Sequence, residues 1–148
     1  STLHTNDAPG AITRLVDMGV EPYLVADAIV AVIAQRLVRK LCPNCKAPYM
    51  AEDNEKMILR LDKPVQLYRP VGCPACHNSG YSGRTAIHEV MMVDSGHRKI
   101  IARGGSAEEI REVSLRQGMV DLYESCRRLV LNGVTSIQEM VRTVYERD

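Results

Sequence analysis

Cys42-Pro43-Asn44-Cys45 and Cys73-Pro74-Ala75-Cys76 are two Cys-Pro-x-Cys hooks in one chain. Each short turn aims two sulfurs at one point, and four thiolates delivered this way close a tetrahedral shell around Zn²⁺ at roughly 2.3 Å per bond. Residues 46–72 between them form a longer insert than the roughly 15–20 residues of the commonest double-hook pattern. The extra length costs little, because loop-closure entropy grows slowly with loop size. Gly72, Gly80 and Gly83 supply tight turns around the hooks. The alternatives are a pair of disulfides, a redox-active dithiol or free thiols. Disulfides need an oxidising compartment, and the N-terminus lacks the basic start and apolar core of a signal peptide. A redox pair does not account for two copies in matching context. The fifth cysteine, Cys126, lies in a helical pattern and reads as a small buried apolar residue. His77, next to Cys76, reads as a bystander rather than a ligand.

Outward from the hooks, residues 35–41 suggest a strand leading into the first, and residues 84–93 form the best strand pattern in the chain, leaving the second. Their expected antiparallel pairing puts the insert at the far end of a hairpin. Within the insert, residues 52–61 suggest a short helix and 65–68 a short strand. So little apolar content needs a staple. Upstream, residues 2–5 are β-permissive, and Asn6, Asp7 and Pro9 signal a helix over 10–18 with Ile12, Leu15 and Val16 on its apolar face. A second helix is predicted over 23–33, apolar nearly all round and therefore buried. Downstream, helices are predicted from Asp94 or Ser95 to 102, from the Ser106-Ala107-Glu108-Glu109 capping box to 117, over 122–131, and from a second box, Ser136 to Glu139, over 137–146. The expected division is 1–41, 42–80 and 81–148, with an α-helical subdomain from Asp94 onward.

Lys plus Arg number 19 against 18 Asp plus Glu, a net charge of +1, which argues against wholesale binding to nucleic acid or to a membrane surface. Trp and Phe are absent. No apolar run reaches the roughly 18 residues of a membrane span, since residues 24–38 are interrupted by Asp27, Gln35 and Arg36. The chain reads as soluble and intracellular and, starting at Ser1 without Met, as a piece of something larger. Arg36-Leu37-Val38-Arg39-Lys40 reads as a solvated strand edge, and His88 and His97 as ordinary surface or partly buried residues. His4, just before a helix start, is placed either to reach into a cleft or to cap the surface.

Read together, Ser1-Thr2-Leu3-His4-Thr5-Asn6-Asp7-Ala8, Arg14-Leu15, Asp17-Met18-Gly19, Ala34-Gln35-Arg36-Leu37-Val38-Arg39, the two hooks, Gly80-Tyr81-x-Gly83-Arg84-Thr85 and Gly133-x-Thr135-Ser136 resemble the C-terminal part of the type II secretion and type IV pilus assembly ATPases. The resemblance implies an α/β fold: the C-terminal portion of a RecA-like P-loop ATPase core, an inserted tetracysteine zinc subdomain and an α-helical C-terminal subdomain. It implies a hexameric Mg-ATP-driven motor on the cytoplasmic face of the inner membrane, acting with a membrane platform and cytoplasmic adaptor proteins. By the same resemblance Leu3-His4-Thr5-Asn6 corresponds to a histidine box, with His4 near the terminal phosphate. Arg14 and Arg84 correspond to arginines that meet nucleotide or a neighbouring subunit, and Cys42, Cys45, Cys73 and Cys76 to the zinc ligands. No Gly-x-x-x-x-Gly-Lys-Ser/Thr and no Walker B acid occurs, so both are expected before Ser1 and the isolated fragment is expected to be inactive. Two other readings remain: a zinc-ribbon nucleic-acid binder using Arg36, Arg39 and Lys40, and a zinc module that docks a protein partner.

Overall fold

Residues 1–145 are described by a computed structural model. Its elements are α1 (Ala8–Asp17), α2 (Pro22–Ala28), β1 (Ala31–Leu41), β2 (Ala47–Met50), α3 (Asp53–Ile58), β3 (Gln66–Arg69), β4 (Tyr81–Met92), α4 (Ser95–Ala102), α5 (Ala107–Arg116), α6 (Leu122–Leu131) and α7 (Ile137–Met140). They form a mixed α/β structure in two units. The first is Ser1–Gln35 with His88–Leu122, and the second is Arg36–Ile87 with the residues from Tyr123.

In the first unit, Asp7 caps α1 by accepting the Gly10 N–H, with Pro9 in the first turn. Residues 2–5 form no strand. Helix α2 stops at Ala28, well short of the predicted 33, because Ile29 is already extended (ψ 124°) and Val30, Val32 and Ile33 are β-branched residues that favour a strand. Nor is the helix buried all round: Val25 and Ala26 are inside, while Tyr23 and Leu24 are 62% and 48% exposed. Helix α2 packs on α4, and α1 and α4 both pack on α5. The shared core is Ala8, Ile12, Val25, Ala26, Met91, Val93, Ile101 and Ile110.

Strands β1 and β4 pair in a two-stranded ribbon. The Val93 N–H donates to the Val30 carbonyl and the Cys42 N–H to the Gly80 carbonyl, both at 2.9 Å, so the strands run antiparallel with the hooks at one end. The ribbon is longer than the predicted pairing.

In the second unit, β2 and β3 pair antiparallel from Ala47↔Arg69 to Met50↔Gln66. Strand β2 is absent from the predicted set because it contains Pro48, which a two-stranded sheet tolerates on its open side. Helix α3 opens with a Glu52–Glu55 capping box and is followed by fully buried Leu59. The Tyr123 hydroxyl and Arg127 Nε of α6 donate to the Ile58 and Leu59 carbonyls at 2.5 and 2.8 Å, which fastens the insert to α6. Helix α7 gives way after one turn to a π-helical turn, Val141–Tyr145. Of the helix predicted over 137–146, Glu146 lies outside the described residues. The helices after Asp94 do not share one unit, since α4 and α5 fall in the first and α7 in the second. Among the described residues, no helix is long and apolar enough to cross a membrane.

Candidate metal centre

The first hook follows β1 directly. The Lys46 N–H donates back to the Cys42 carbonyl at 3.0 Å and closes its turn. The second is a 3-10 turn, Pro74–Cys76, ended by His77 in the left-handed region (φ 54°). Gly80 holds φ 83° where any Cβ would run into Pro70, so the chain leaves this hook by a turn that glycine alone suits.

All four sulfurs lie within 4.8 Å of one another. Cys42–Cys73 and Cys45–Cys76 are each 3.8 Å apart and Cys73–Cys76 3.7 Å. A tetrahedral tetrathiolate shell with bonds of about 2.3 Å has edges of about 3.8 Å. The four cysteines are therefore positioned to bind a single metal ion of zinc's size. No sulfur pair is disulfide-bonded, and Cys126 is a fully buried thiol that burial pushes up to about 12.

Neighbouring donors prepare the sulfurs for negative charge. Cys76 Sγ accepts the N–H groups of Gly80 (3.2 Å) and Cys73 (3.3 Å), Cys45 Sγ that of Gly72 (3.4 Å), and Cys73 Sγ the Asn44 side-chain amide (3.3 Å). Burial pushes Cys76 up, but the Cys73 and Gly80 amides outweigh it and bring the thiol down to about 6. The Asn44 amide lowers Cys73 as well. Burial dominates at Cys45 and pushes it up to about 11, against the pull of the Gly72 N–H. A cation reverses that last balance, because metal binding deprotonates a thiol outright.

The other candidate residues stand apart from this cluster. His4 and Arg14 are exposed residues of the first unit, and Arg84 is an exposed residue of the second. The segment that carries His4 is anchored just downstream by Glu89, which is 1% exposed. Glu89 accepts the Ala8 N–H (2.9 Å) at the start of α1, the Leu122 N–H (3.1 Å) at the start of α6 and Arg111 Nη2 (3.3 Å). Arg111 also donates to Asp7 at 2.5 Å. His97 is buried, 1% exposed, and held by Asp94 (2.9 Å) and Ser114 (2.7 Å), so it is no ordinary surface residue. In this Asp-His-Ser line the Ser114 hydroxyl donates to the Ile110 carbonyl one helical turn back, at 2.7 Å, and is 2% exposed, as befits a packing contact.

The family model described as "Type II/IV secretion system protein" matches residues 1–142. The chain belongs to the type II/IV secretion system protein family. It is similar to the type II secretion system protein E of Pseudomonas aeruginosa, 46% identical over 99% of this chain and 29% of that relative. The type II secretion system ATPase E of Vibrio cholerae is 43% identical over 99% of this chain and 29% of its own length. The type IV pilus assembly ATPase PilB of Myxococcus xanthus is 42% identical over 95% of this chain and 26% of its own length. The chain thus spans under a third of each of these relatives.

In this family member, sequence reasoning missed Glu89, Arg111 and the Arg39–Glu139 pair of the second unit. Glu89 carries one sequence signal, an acid in the midst of the apolar strand pattern of 84–93. Arg39 belongs to the group read as a solvated edge. It instead donates Nε and Nη2 to Glu139 Oε2 at 3.1 and 2.9 Å, and Val38 beside it is fully buried. Glu139 accordingly does not complete the predicted second capping box: Ser136 accepts the Glu139 N–H, but the carboxylate turns to arginines.

Proposed function

We propose that this chain is the C-terminal part of a cytoplasmic, hexameric ATPase that drives type II protein secretion or type IV pilus assembly. The observation that carries this reading is the match over nearly the whole chain to relatives named as ATPases of those two machines. In this reading residues 1–41 complete a RecA-like core whose P-loop and Mg²⁺-binding acid come from the rest of the protein. His4 faces the terminal phosphate, and Arg14 and Arg84 meet nucleotide or a neighbouring subunit, a role suited to a planar charged fork. The motor works against an inner-membrane platform with cytoplasmic adaptors.

Zn²⁺ is the metal proposed for Cys42, Cys45, Cys73 and Cys76, with a structural role. Four thiolates saturate a tetrahedral ion and leave no position for water or substrate. It ties the two ends of the insert together, where the described residues offer few buried apolar side chains apart from Leu59 and Leu67.

The test uses the longer protein and this chain side by side. His4→Ala in the longer protein is expected to lower ATP turnover by about 100-fold or more, the scale of a lost group acting on transition-state charge, while nucleotide binding persists. The chain by itself is expected to show no turnover above background, because it lacks the loop that cradles phosphates. Turnover by the isolated chain, or full activity in the His4 variant, overturns the assignment.

A further inference from the structure

The start of α1 is tied down within the first unit by two residues that the proposed reaction does not use, Glu89 of β4 and Arg111 of α5. Glu89 sets Oε1 on the Ala8 N–H (2.9 Å) and Oε2 on the Leu122 N–H (3.1 Å). Arg111 Nη2 donates both to Glu89 Oε1 (3.3 Å) and to Asp7 Oδ2 (2.5 Å), and its Nη1 stands 3.9 Å from Asp121 Oδ2. Asp7 divides its carboxylate between two tasks: Oδ1 accepts the Gly10 N–H (2.9 Å) and caps α1, while Oδ2 meets the arginine. Thr5 Oγ1 in turn donates to the Asp7 carbonyl at 3.1 Å, so the chain entering the cap folds back on it. His4 is the next residue. Residues 1–5 belong to no helix or strand, so His4 takes its place from the cap it runs into.

We propose that Glu89 and Arg111 are positioning residues for His4, acting through Ala8 and Asp7. The inference rests on the reading of His4 as the residue that faces the terminal phosphate. Packing alone does not call for an acid at position 89: Ile87 and Met91, on the same face of β4, are fully buried apolar side chains. A buried carboxylate is expensive to desolvate, and here it fixes one geometry, since both of its oxygens are committed to backbone N–H groups and one also to a guanidinium. Arg111 extends that geometry to the cap, because one planar fork bridges Glu89 and Asp7 where a point charge would hold a single partner. Placement of this kind matters for rate, since a reacting group displaced by 1 Å loses about 100-fold. A merely structural tie would weaken the fold and leave turnover per folded molecule unchanged, whereas a positioning tie lowers both.

The experiment measures kcat and KM for ATP in the longer protein, on variants whose fold circular dichroism has checked. Arg111→Gln is expected to lower kcat by about tenfold or more with KM held within about twofold, the pattern of a group misplaced for the transition state alone. Arg111→Lys recovers part of the loss. Asp7→Asn keeps the cap, because Asn caps a helix as well as Asp does, and is expected to match Arg111→Gln. Ser106→Ala, at the cap of the helix that carries Arg111, controls for destabilisation and leaves kcat unchanged. In a His4→Ala background, Arg111→Gln is expected to add no further loss. A readout without nucleotide uses this chain alone: the Ala8 amide exchanges about tenfold faster in Arg111→Gln, the scale of a weakened hydrogen bond to a charged group, and at the parent rate in Ser106→Ala. Unchanged kcat in Arg111→Gln and Asp7→Asn, an equal loss in Ser106→Ala, an unmoved Ala8 amide, or losses that multiply in full with His4→Ala each overturn the positioning role and leave the His4 reading standing. Full activity in His4→Ala alone overturns that reading instead, before any Arg111 variant is made.

Discussion

Among the described residues, the two units bury one glutamate each, and they satisfy it in opposite ways. Glu89 meets two backbone N–H groups and one arginine, whereas Glu139 meets two arginines and one backbone N–H. The surroundings differ in the same sense. The first unit closes around a contiguous apolar cluster, from Ala8 and Ile12 to Ile101 and Ile110. The second depends on a tetracysteine centre, an ion network and scattered buried residues such as Leu59, Leu67, Val130 and Met140. One unit is held by what it excludes from water and the other by what its polar groups coordinate, so they should fail under different insults.

Metal removal separates them most. Chelation, or Cys76→Ser, is expected to strip amide-exchange protection from residues 42–80 while residues 8–18 keep theirs, since structural zinc binding is worth on the order of 10 kcal/mol. Simultaneous loss in both units breaks the comparison. Next comes Glu89→Ala, which orphans the buried Ala8 and Leu122 N–H groups along with Arg111; about 3–5 kcal/mol is expected in urea unfolding. Glu139→Ala should cost less, about 2 kcal/mol, because Arg39 and Arg142 are 46% and 52% exposed and return to water. Equal costs for the two would mean that the nature of the donors does not matter.

Acid titration sharpens the contrast further. Burial alone would raise Glu139, but Arg142 and Arg39 outweigh it and hold the carboxyl at about 2, below its ordinary 4.5. A depressed folded-state value means that its contribution is fully present above about 4.5 and drains away as pH falls towards 2. Glu139→Gln is therefore expected to flatten the acid limb of stability relative to the parent chain, and an unchanged limb removes the arginine clamp as its cause. The smallest effect is expected for Ser106→Ala at the α5 cap, about 1 kcal/mol.

What was legible in the sequence is what neighbours decide. A two-residue gap between cysteines places sulfurs together whatever the rest of the fold does, and the Asp7 and Ser106 caps act within one turn. The strand of 84–93 was legible from its β-branched and apolar pattern. Distant partners decide the rest. Glu89 meets residues 81 and 33 positions away, and Arg39 meets Glu139 across 100. No local window distinguishes that arginine from a solvated edge. The predicted helix over 23–33 failed at a point where apolar character alone cannot tell helix from strand and β-branching could: Val30, Val32 and Ile33. His97 looked ordinary because Ser114, which holds it, lies on another helix.

The division of the chain has a consequence for synthesis. The second unit's residues 36–87 interrupt the first, and residues 88–122 of the first interrupt the second. A ribosome delivers residues in order, at about 5–20 per second. Both cysteine hooks are therefore complete once Cys76 has emerged, while α4 and α5, which carry Ile101 and Ile110, have yet to emerge in full. A cation bound at that moment would close the loop from 42 to 76 and give the nascent chain an early fixed point while α1 and α2 still lack the helices they pack on.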